Sequence, residues 1–222
     1  TSGSSDSNGS ITSTVSVNQT AGFSIVRWSG SGANATIGHG LGAAPSWLVV
    51  KALSASNSWR VYHAANTSAP ETEFLELNAT TATQDEATIW NDTAPTSTVF
   101  SVGSDGGSNV SGTDNMIAYC FAEIPGYSKF SSYIGNNSTN GPFVELGFRP
   151  AFVMIKAATQ TESWWIGDNA RDGFNQGNRP MLAADSSGAE DNGWSGNAPY
   201  DALSNGFKIR RTGGAFNTNA NS

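Results

Sequence analysis

The chain has 222 residues, a net charge of −7 and only 13% charged positions, where about a quarter is usual. Four lysines among 30 serines and 25 glycines exclude the basic footprint of a nucleic-acid binder and the polybasic patch that holds anionic lipid, and no apolar stretch reaches the roughly 20 residues of a membrane-spanning helix. Seven Trp, eleven Phe and five Tyr are too many for a disordered chain, and two histidines with the single Cys120 supply neither an intrachain disulfide nor a standard structural zinc site.

In chain order, Thr1 to Ser10 contains only Thr, Ser, Gly, Asp and Asn and predicts a flexible arm. The start without an initiator Met or a signal peptide predicts a mature or excised piece. Period-2 patterns then dominate. Ile11, Val15 and Val17 share one face of a first strand, and Trp28 lies on the face opposite Ile25 and Arg27. Trp47-Leu-Val-Val50 is a short continuous apolar run, which suits a strand covered on both faces. Trp59 and Val61 alternate with Arg60, and Leu75 pairs with Leu77. Phe100-Ser-Val102 repeats the alternation, and Met116 to Ala122 is an apolar strand in which Cys120 reads as a small buried hydrophobe. Further on come the run Phe152-Val-Met-Ile155 and the alternation Phe207-Lys-Ile209. Turn residues separate these runs. The fold class is therefore all-β, an antiparallel sandwich of jelly-roll type, with no alternation of strands and helices.

The second half repeats the first. Leu41-Gly-Ala-Ala-Pro45-Ser-Trp-Leu-Val-Val-Lys51-Ala52 matches Leu146-Gly-Phe-Arg-Pro150-Ala-Phe-Val-Met-Ile-Lys156-Ala157 at an offset of 105. Ser58-Trp59-Arg60-Val61 meets Ser163-Trp164-Trp165-Ile166 at the same offset, and Gly22-Phe-Ser24 meets Gly126-Tyr-Ser128 at 104. Trp90 and Pro95 meet Trp194 and Pro199 at 104, and Phe100-Ser-Val102 meets Phe207-Lys-Ile209 at 107. Matches in unchanged order with so little drift indicate duplication. The expected organisation is an arm and first strand over 1–20, one sandwich repeat over 21–123 and a second over 124–222. The second has no counterpart of the Met116–Glu123 strand, so it is expected to lack its last strand, leaving an open edge. Continuation of the polypeptide would complete it, and this is the preferred reading; a neighbouring chain is the alternative.

These residues resemble a repeated domain of unknown function found in structural proteins of tailed phages, notably marine and cyanobacterial ones. The matching stretches are Ala21-Gly-Phe-Ser-Ile-Val26, Gly38-His-Gly-Leu-Gly42 with Pro45, and Ala118-Tyr-Cys-Phe-Ala-Glu123. In the second half they are Gly126-Tyr-Ser-Lys-Phe130, Gly141-Pro-Phe143 and Gly147-Phe-Arg-Pro-Ala-Phe152. The resemblance spans about Ala21 to Ile209 and its motifs are structural. It implies a tail-fibre-like or other surface virion protein, without catalysis or cofactor, that works in assembly and host-surface contact. By the same analogy the chain is a homo-oligomer, trimeric as fibres are, on the virion surface or otherwise extracellular, with other virion proteins and host surface glycans as its partners.

The residues themselves offer little catalytic pattern. His39, between two glycines, reads as a tight turn, and no nucleophile elbow accompanies His63. Glu71, Glu73 and Glu76, or Asp168, Asp172 and Glu190, could pair as in a glycosidase, yet they fall in turns or on polar strand faces. Asp168-Asn-Ala-Arg-Asp172-Gly173 has the look of a calcium loop without its spacing; no metal is expected. Trp59 and Trp164 match across the repeats as core, and Trp90 and Trp194 as packing anchors ahead of Ala-Pro turns. Trp165 stands opposite Arg60 in the alignment and is expected to point away from its core, where it would stack on a sugar, meet another subunit or pack between the repeats. Trp165, Asp168 and Asn169, with Trp28, are the candidate subunit or glycan contacts. The many Asn-x-Ser/Thr triplets, Asn18 and Asn34 among them, follow from composition. The readings that compete with a virion protein are a carbohydrate-binding module and a strand-donating extracellular filament subunit.

Overall fold

The structure is a computed structural model that describes residues 3–171, 175, 180–190 and 198–219; Asp172, Asp191 and Trp194 lie outside the described residues. It divides into two compact units, Thr1–Leu77 with Thr83–Ser131, and Asn78–Ala82 with Ser132–Ser222. The division falls after Ser131 rather than after Glu123, and the short segment Asn78–Ala82 belongs with the second unit.

In the first unit ten strands follow in order: β1 (Ser4–Asp6), β2 (Ser13–Asn18), β3 (Phe23–Gly30), β4 (Ala35–Gly38), β5 (Trp47–Ala52), β6 (Arg60–His63), β7 (Glu73–Glu76), β8 (Gln84–Asp85), β9 (Val99–Val102) and β10 (Gly112–Phe121). Two single-turn helices, α1 (Ala87–Trp90) and α2 (Gly106–Asn109), flank β9. Eight strands form one sheet in the order β1-β2-β3-β10-β5-β6-β7-β8, and β4 pairs with β9. The segment expected to be a flexible arm is in part a strand: Ser4, Ser5 and Asp6 pair with Val15, Thr14 and Ser13. Its polar composition suits an edge, where unpaired backbone faces water.

Alternation sorts the side chains. Val26 and Trp28 of β3, Met116, Ala118 and Cys120 of β10, Leu48 and Val50 of β5, and Tyr62 and Phe74 point to one core, completed by Ile37, Phe100, Val102, Ile89 and Trp90. On the opposite face of the same sheet Val49, Val61 and Leu75 are also buried, beside rings such as Trp59 stacked on Tyr119 at 6.3 Å and Trp47 against Phe121 at 5.1 Å. A sheet apolar on both sides explains the unbroken run at Trp47–Val50. β10 carries an irregularity between Gly112 and Met116. There the buried Asn115 replaces ladder bonds, accepting from Gly30 N at 2.9 Å and donating to the Val110 carbonyl at 2.8 Å, as a bulge requires.

The second unit holds β11 (Phe143–Glu145), β12 (Phe152–Ile155), β13 (Trp165–Asp168), β14 (Leu182–Ala183), β15 (Tyr200–Leu203), β16 (Gly206–Ile209) and the single-turn α3 (Gly214–Asn217). They form two three-stranded sheets, β11-β16-β15 and β12-β13-β14, around Val153, Ile155, Met181, Tyr200, Phe207, Ile209 and Phe216. Two registers of the first unit recur here. Trp47↔His63 and Val50↔Arg60 reappear 105 residues on as Phe152↔Asp168 and Ile155↔Trp165. Ile37↔Phe100 reappears 107 residues on as Val144↔Phe207.

Candidate functional site

The most densely bonded polar residues lie in the last turns of α2 and α3. Asn109 is wholly buried. Its Oδ1 accepts from Trp28 Nε1 at 3.1 Å and from Ser31 N at 3.2 Å, and its Nδ2 donates to Ser31 Oγ at 3.0 Å and to the Ala33 carbonyl at 2.6 Å. Asn217 repeats the arrangement. It accepts from Asn136 N at 2.8 Å and donates to Asn136 Oδ1 at 3.1 Å and the Ser138 carbonyl at 2.6 Å. The backbone agrees, since Gly32 N donates to the Asn109 carbonyl at 2.8 Å and Asn137 N to the Asn217 carbonyl at 2.9 Å. Each asparagine fastens a loop to its helix turn. Sequence reasoning missed both, although Gly106-Gly-Ser-Asn109 and Gly214-Ala-Phe-Asn217 extend the internal match by a further segment.

A second matched position differs in chemistry. Arg60 on β6 faces the main core. Its guanidinium pairs with Glu76 and with Asp105 Oδ1 at 3.3 Å, and lies 4.7 Å over the Phe74 ring, a cation–π arrangement. Trp165 occupies the corresponding place on β13 and contacts Phe216 of α3 at 6.2 Å. The expectation that Trp165 points outward is therefore corrected: it packs against the core of its unit. Alternation had placed Trp59 and Val61 on the core side, but with both faces of the sheet apolar it cannot tell which is the principal core. Trp28 is likewise no surface contact, being 1% exposed and set edge-on to Phe100 at 5.7 Å. Trp164 is buried as expected, whereas Trp59 is half-buried on the other face.

Asp168 sits on the face of β13 opposite Trp165, so strand alternation separates them. Its Oδ1 accepts from Ala170 N at 3.0 Å and Arg171 N at 3.1 Å, and its Oδ2 pairs with Arg171 at 3.3 Å. Arg171 also reaches Glu190 at 3.7 Å. A guanidinium thus stands between two of the carboxylates weighed as a glycosidase pair, and among the described residues no three His, Cys, Asp or Glu side chains gather to hold a metal ion. Asn169 is exposed and its N–H donates to the Ala151 carbonyl at 3.0 Å. Glu73 and Glu76 lie on opposite faces of β7; Glu76 holds Arg60 and Glu73 accepts from Thr67.

The histidines are structural. His39 is buried; its Nδ1 accepts from Leu41 N at 3.3 Å and its Nε2 lies 3.2 Å from the Thr96 carbonyl, which fixes the Nε2–H tautomer. The flanking Gly40 and Gly42 have φ of +70° and +75°, a left-handed turn suited to glycine. His63 Nδ1 accepts from Ala65 N at 3.1 Å. Burial pushes both imidazoles below their ordinary value. Burial also pushes the Cys120 thiol up to about 12, so it is neither thiolate nor ligand at neutral pH. A shallow cleft between β1 and β2 offers one carboxylate, Asp6, already held by Asn8 N at 2.9 Å.

The architecture is an all-β protein of antiparallel sheets whose polar residues brace loops. A family model described as Domain of unknown function (DUF7483) matches residues 1–222, and the chain belongs to that family. No curated protein and no solved structure matches it.

Proposed function

We propose that the chain is a virion structural protein, an external appendage domain of tail-fibre-like or surface-decorating kind, built of two tandem jelly-roll-like β-sandwich copies. Its work is assembly and host-surface contact as a homo-oligomer, without catalysis. One observation carries the reading. What recurs between the units is scaffold: the two strand registers and the asparagine that ties a loop to a helix turn. What changes includes both histidines and the buried guanidinium, since Asp168 replaces His63, Trp165 replaces Arg60 and Val144 or its neighbours stand where His39 does. Retained scaffold with discarded chemistry fits a building block better than an enzyme. The resemblance to phage structural repeats points the same way. A carbohydrate-binding module is less favoured, because Trp165 and Asp168 face opposite ways.

Antibody labelling of purified particles, read by electron microscopy, tests the proposal. Label on the particle exterior is the expected result. A chain recovered free of particles, binding glycans as a monomer in an array, would replace it with the carbohydrate-binding reading.

A further inference from the structure

His39 is fully buried, and both of its ring nitrogens are committed. Nδ1 accepts from Leu41 N at 3.3 Å, and Nε2–H faces the Thr96 carbonyl at 3.2 Å. The backbone is tied at the same place, since His39 N donates to the Thr98 carbonyl at 3.3 Å. The turn that the imidazole closes is also held to β2. Ser13 Oγ donates to the Gly38 carbonyl at 2.8 Å, and Gln19 Nε2 to the Gly40 carbonyl at 2.8 Å. Gly40 stands so close to β2 that a Cβ there would lie 3.1 Å from the Val15 side chain and 3.5 Å from that of Val17. Leu41 is thereby turned inward and joins the core of the unit.

The second unit closes the corresponding turn without this residue. The registers Ile37↔Phe100 and Val144↔Phe207 set the strands before the turn 107 residues apart, whereas Leu41-Gly42 and Pro45 match Leu146-Gly147 and Pro150 at 105. The difference of two is the dipeptide His39-Gly40: Gly38 corresponds to Glu145, and Leu41 to Leu146. Gly42 and Gly147 share a left-handed φ, +75° and +78°. Leu146 N donates to the Asn205 carbonyl at 2.9 Å, the bond that His39 N makes in the first unit. The turn therefore needs no imidazole, and His39 adds to it a bond that depends on protonation.

Protonation makes both ring nitrogens donors. Nδ1–H then meets Leu41 N–H, donor against donor, and the bond that closes the turn is lost. The imidazolium is also a charge in a buried place, where it is costly to keep. The Asp6 carboxylate of β1 favours the charged ring, but burial outweighs it. Asp6 Oδ1 lies 2.2 Å from where a Cβ on Gly38 would stand and accepts from Asn8 N at 2.9 Å and Asn8 Nδ2 at 2.8 Å. The other segments that tie the turn, β2 and Thr96–Val99, contain no charged residue. We propose that His39 is an acid-released latch: its protonation frees the 39–42 turn, which swings on Gly40 and Gly42, withdraws Leu41 from the core and loosens β2 from the β4–β9 pair while the central strands stay folded. This inference is independent of the virion reading.

Amide exchange of the full chain, resolved residue by residue by NMR at a series of pH values and alongside the imidazole nitrogen shifts, tests the latch. At neutral pH the His39 ring is expected as the neutral Nε2–H tautomer. As pH falls from the ordinary 6.5, the protection factors of the His39 and Leu41 amides are expected to drop by up to about tenfold per pH unit, then level off below the folded-state pKa. Amides of β3 and β10 keep theirs over the same range. His39→Gln retains an oxygen to accept from Leu41 N and should abolish the drop. Deletion of His39 and Gly40 together, which copies the turn of the second unit, should abolish it too. Asp6→Asn should move the drop to lower pH, because a charge that favours the imidazolium is gone. Titration of the ring with the Leu41 amide still protected, loss of protection in β3 and β10 at the same pH, or an unchanged drop in His39→Gln would overturn the proposal.

Discussion

Asn109 is buried and has both side-chain heteroatoms engaged in hydrogen bonds. Asn109→Ala leaves the buried Trp28 Nε1–H without an acceptor, at about 1–3 kcal/mol, and also removes the ties to the exposed Ser31 and to the Ala33 carbonyl. A loss of about 2–4 kcal/mol is expected in urea denaturation followed by tryptophan fluorescence; a loss under about 0.5 kcal/mol would mean that water takes over the role. The two imidazoles make a different statement. Burial holds the folded-state pKa of His39 and His63 below the ordinary 6.5, so the unfolded chain binds protons more readily. Their contribution to stability is therefore whole above pH 6.5, shrinks as pH falls below it, and is gone once pH has passed the lowered folded value. Thermal melts from pH 7.5 to 5 should show Tm falling with acidification, and His39→Gln should flatten that slope whatever it does to Tm at neutral pH.

α2 shows how a short element depends on one side chain. Asp105 accepts from Gly107 N at 2.8 Å as N-cap and pairs with Arg60, whereas at the start of α3 Gly213 offers no capping side chain and the corresponding contact is Trp165 on Phe216. Asp105→Ala removes a cap, worth about 0.5–2 kcal/mol, and leaves Arg60 with Glu76 alone. A matching drop in denaturation free energy is expected; an unchanged value would show Arg60 and Phe74 sufficient without the cap. Much at this scale was legible in the residues. The run at Trp47–Val50 foretold a strand covered on both faces, and the matched runs at 47–50 and 152–155 are strands in both units. The orientation of Arg60 and Trp165 was not legible, because period 2 names two faces without saying which is the deeper. Nor was the pairing of Ser4–Asp6, whose polar residues carry no alternation and whose partner lies on the far side of a turn. The candidate site was least legible of all. Trp28 and Trp165 are large rings whose burial depends on Asn109, Phe100 and Phe216, residues remote in sequence.

Across the whole molecule the units differ in closure. Among the described residues the first has one eight-stranded sheet beside the β4–β9 pair, the second two sheets of three strands. Native-state amide exchange should accordingly be slowest in β3, β5 and β10, flanked on both sides by other strands, and faster in β12 to β14. Equal protection across both units would contradict the idea that β10 is what makes the first sheet whole. The position of β10 in the sequence has a further consequence, in time rather than in space. It is central in the sheet yet last in the unit, pairing Phe121 with Phe23. At about 5–20 residues per second, roughly 5–20 s separate the synthesis of those two strands on the ribosome. During that interval β3 and β5 are open edges on a growing chain, and neighbouring nascent chains on the same message expose identical ones. The hazard of mispairing is thus set by the pace of translation, not by the stability of the finished sheet.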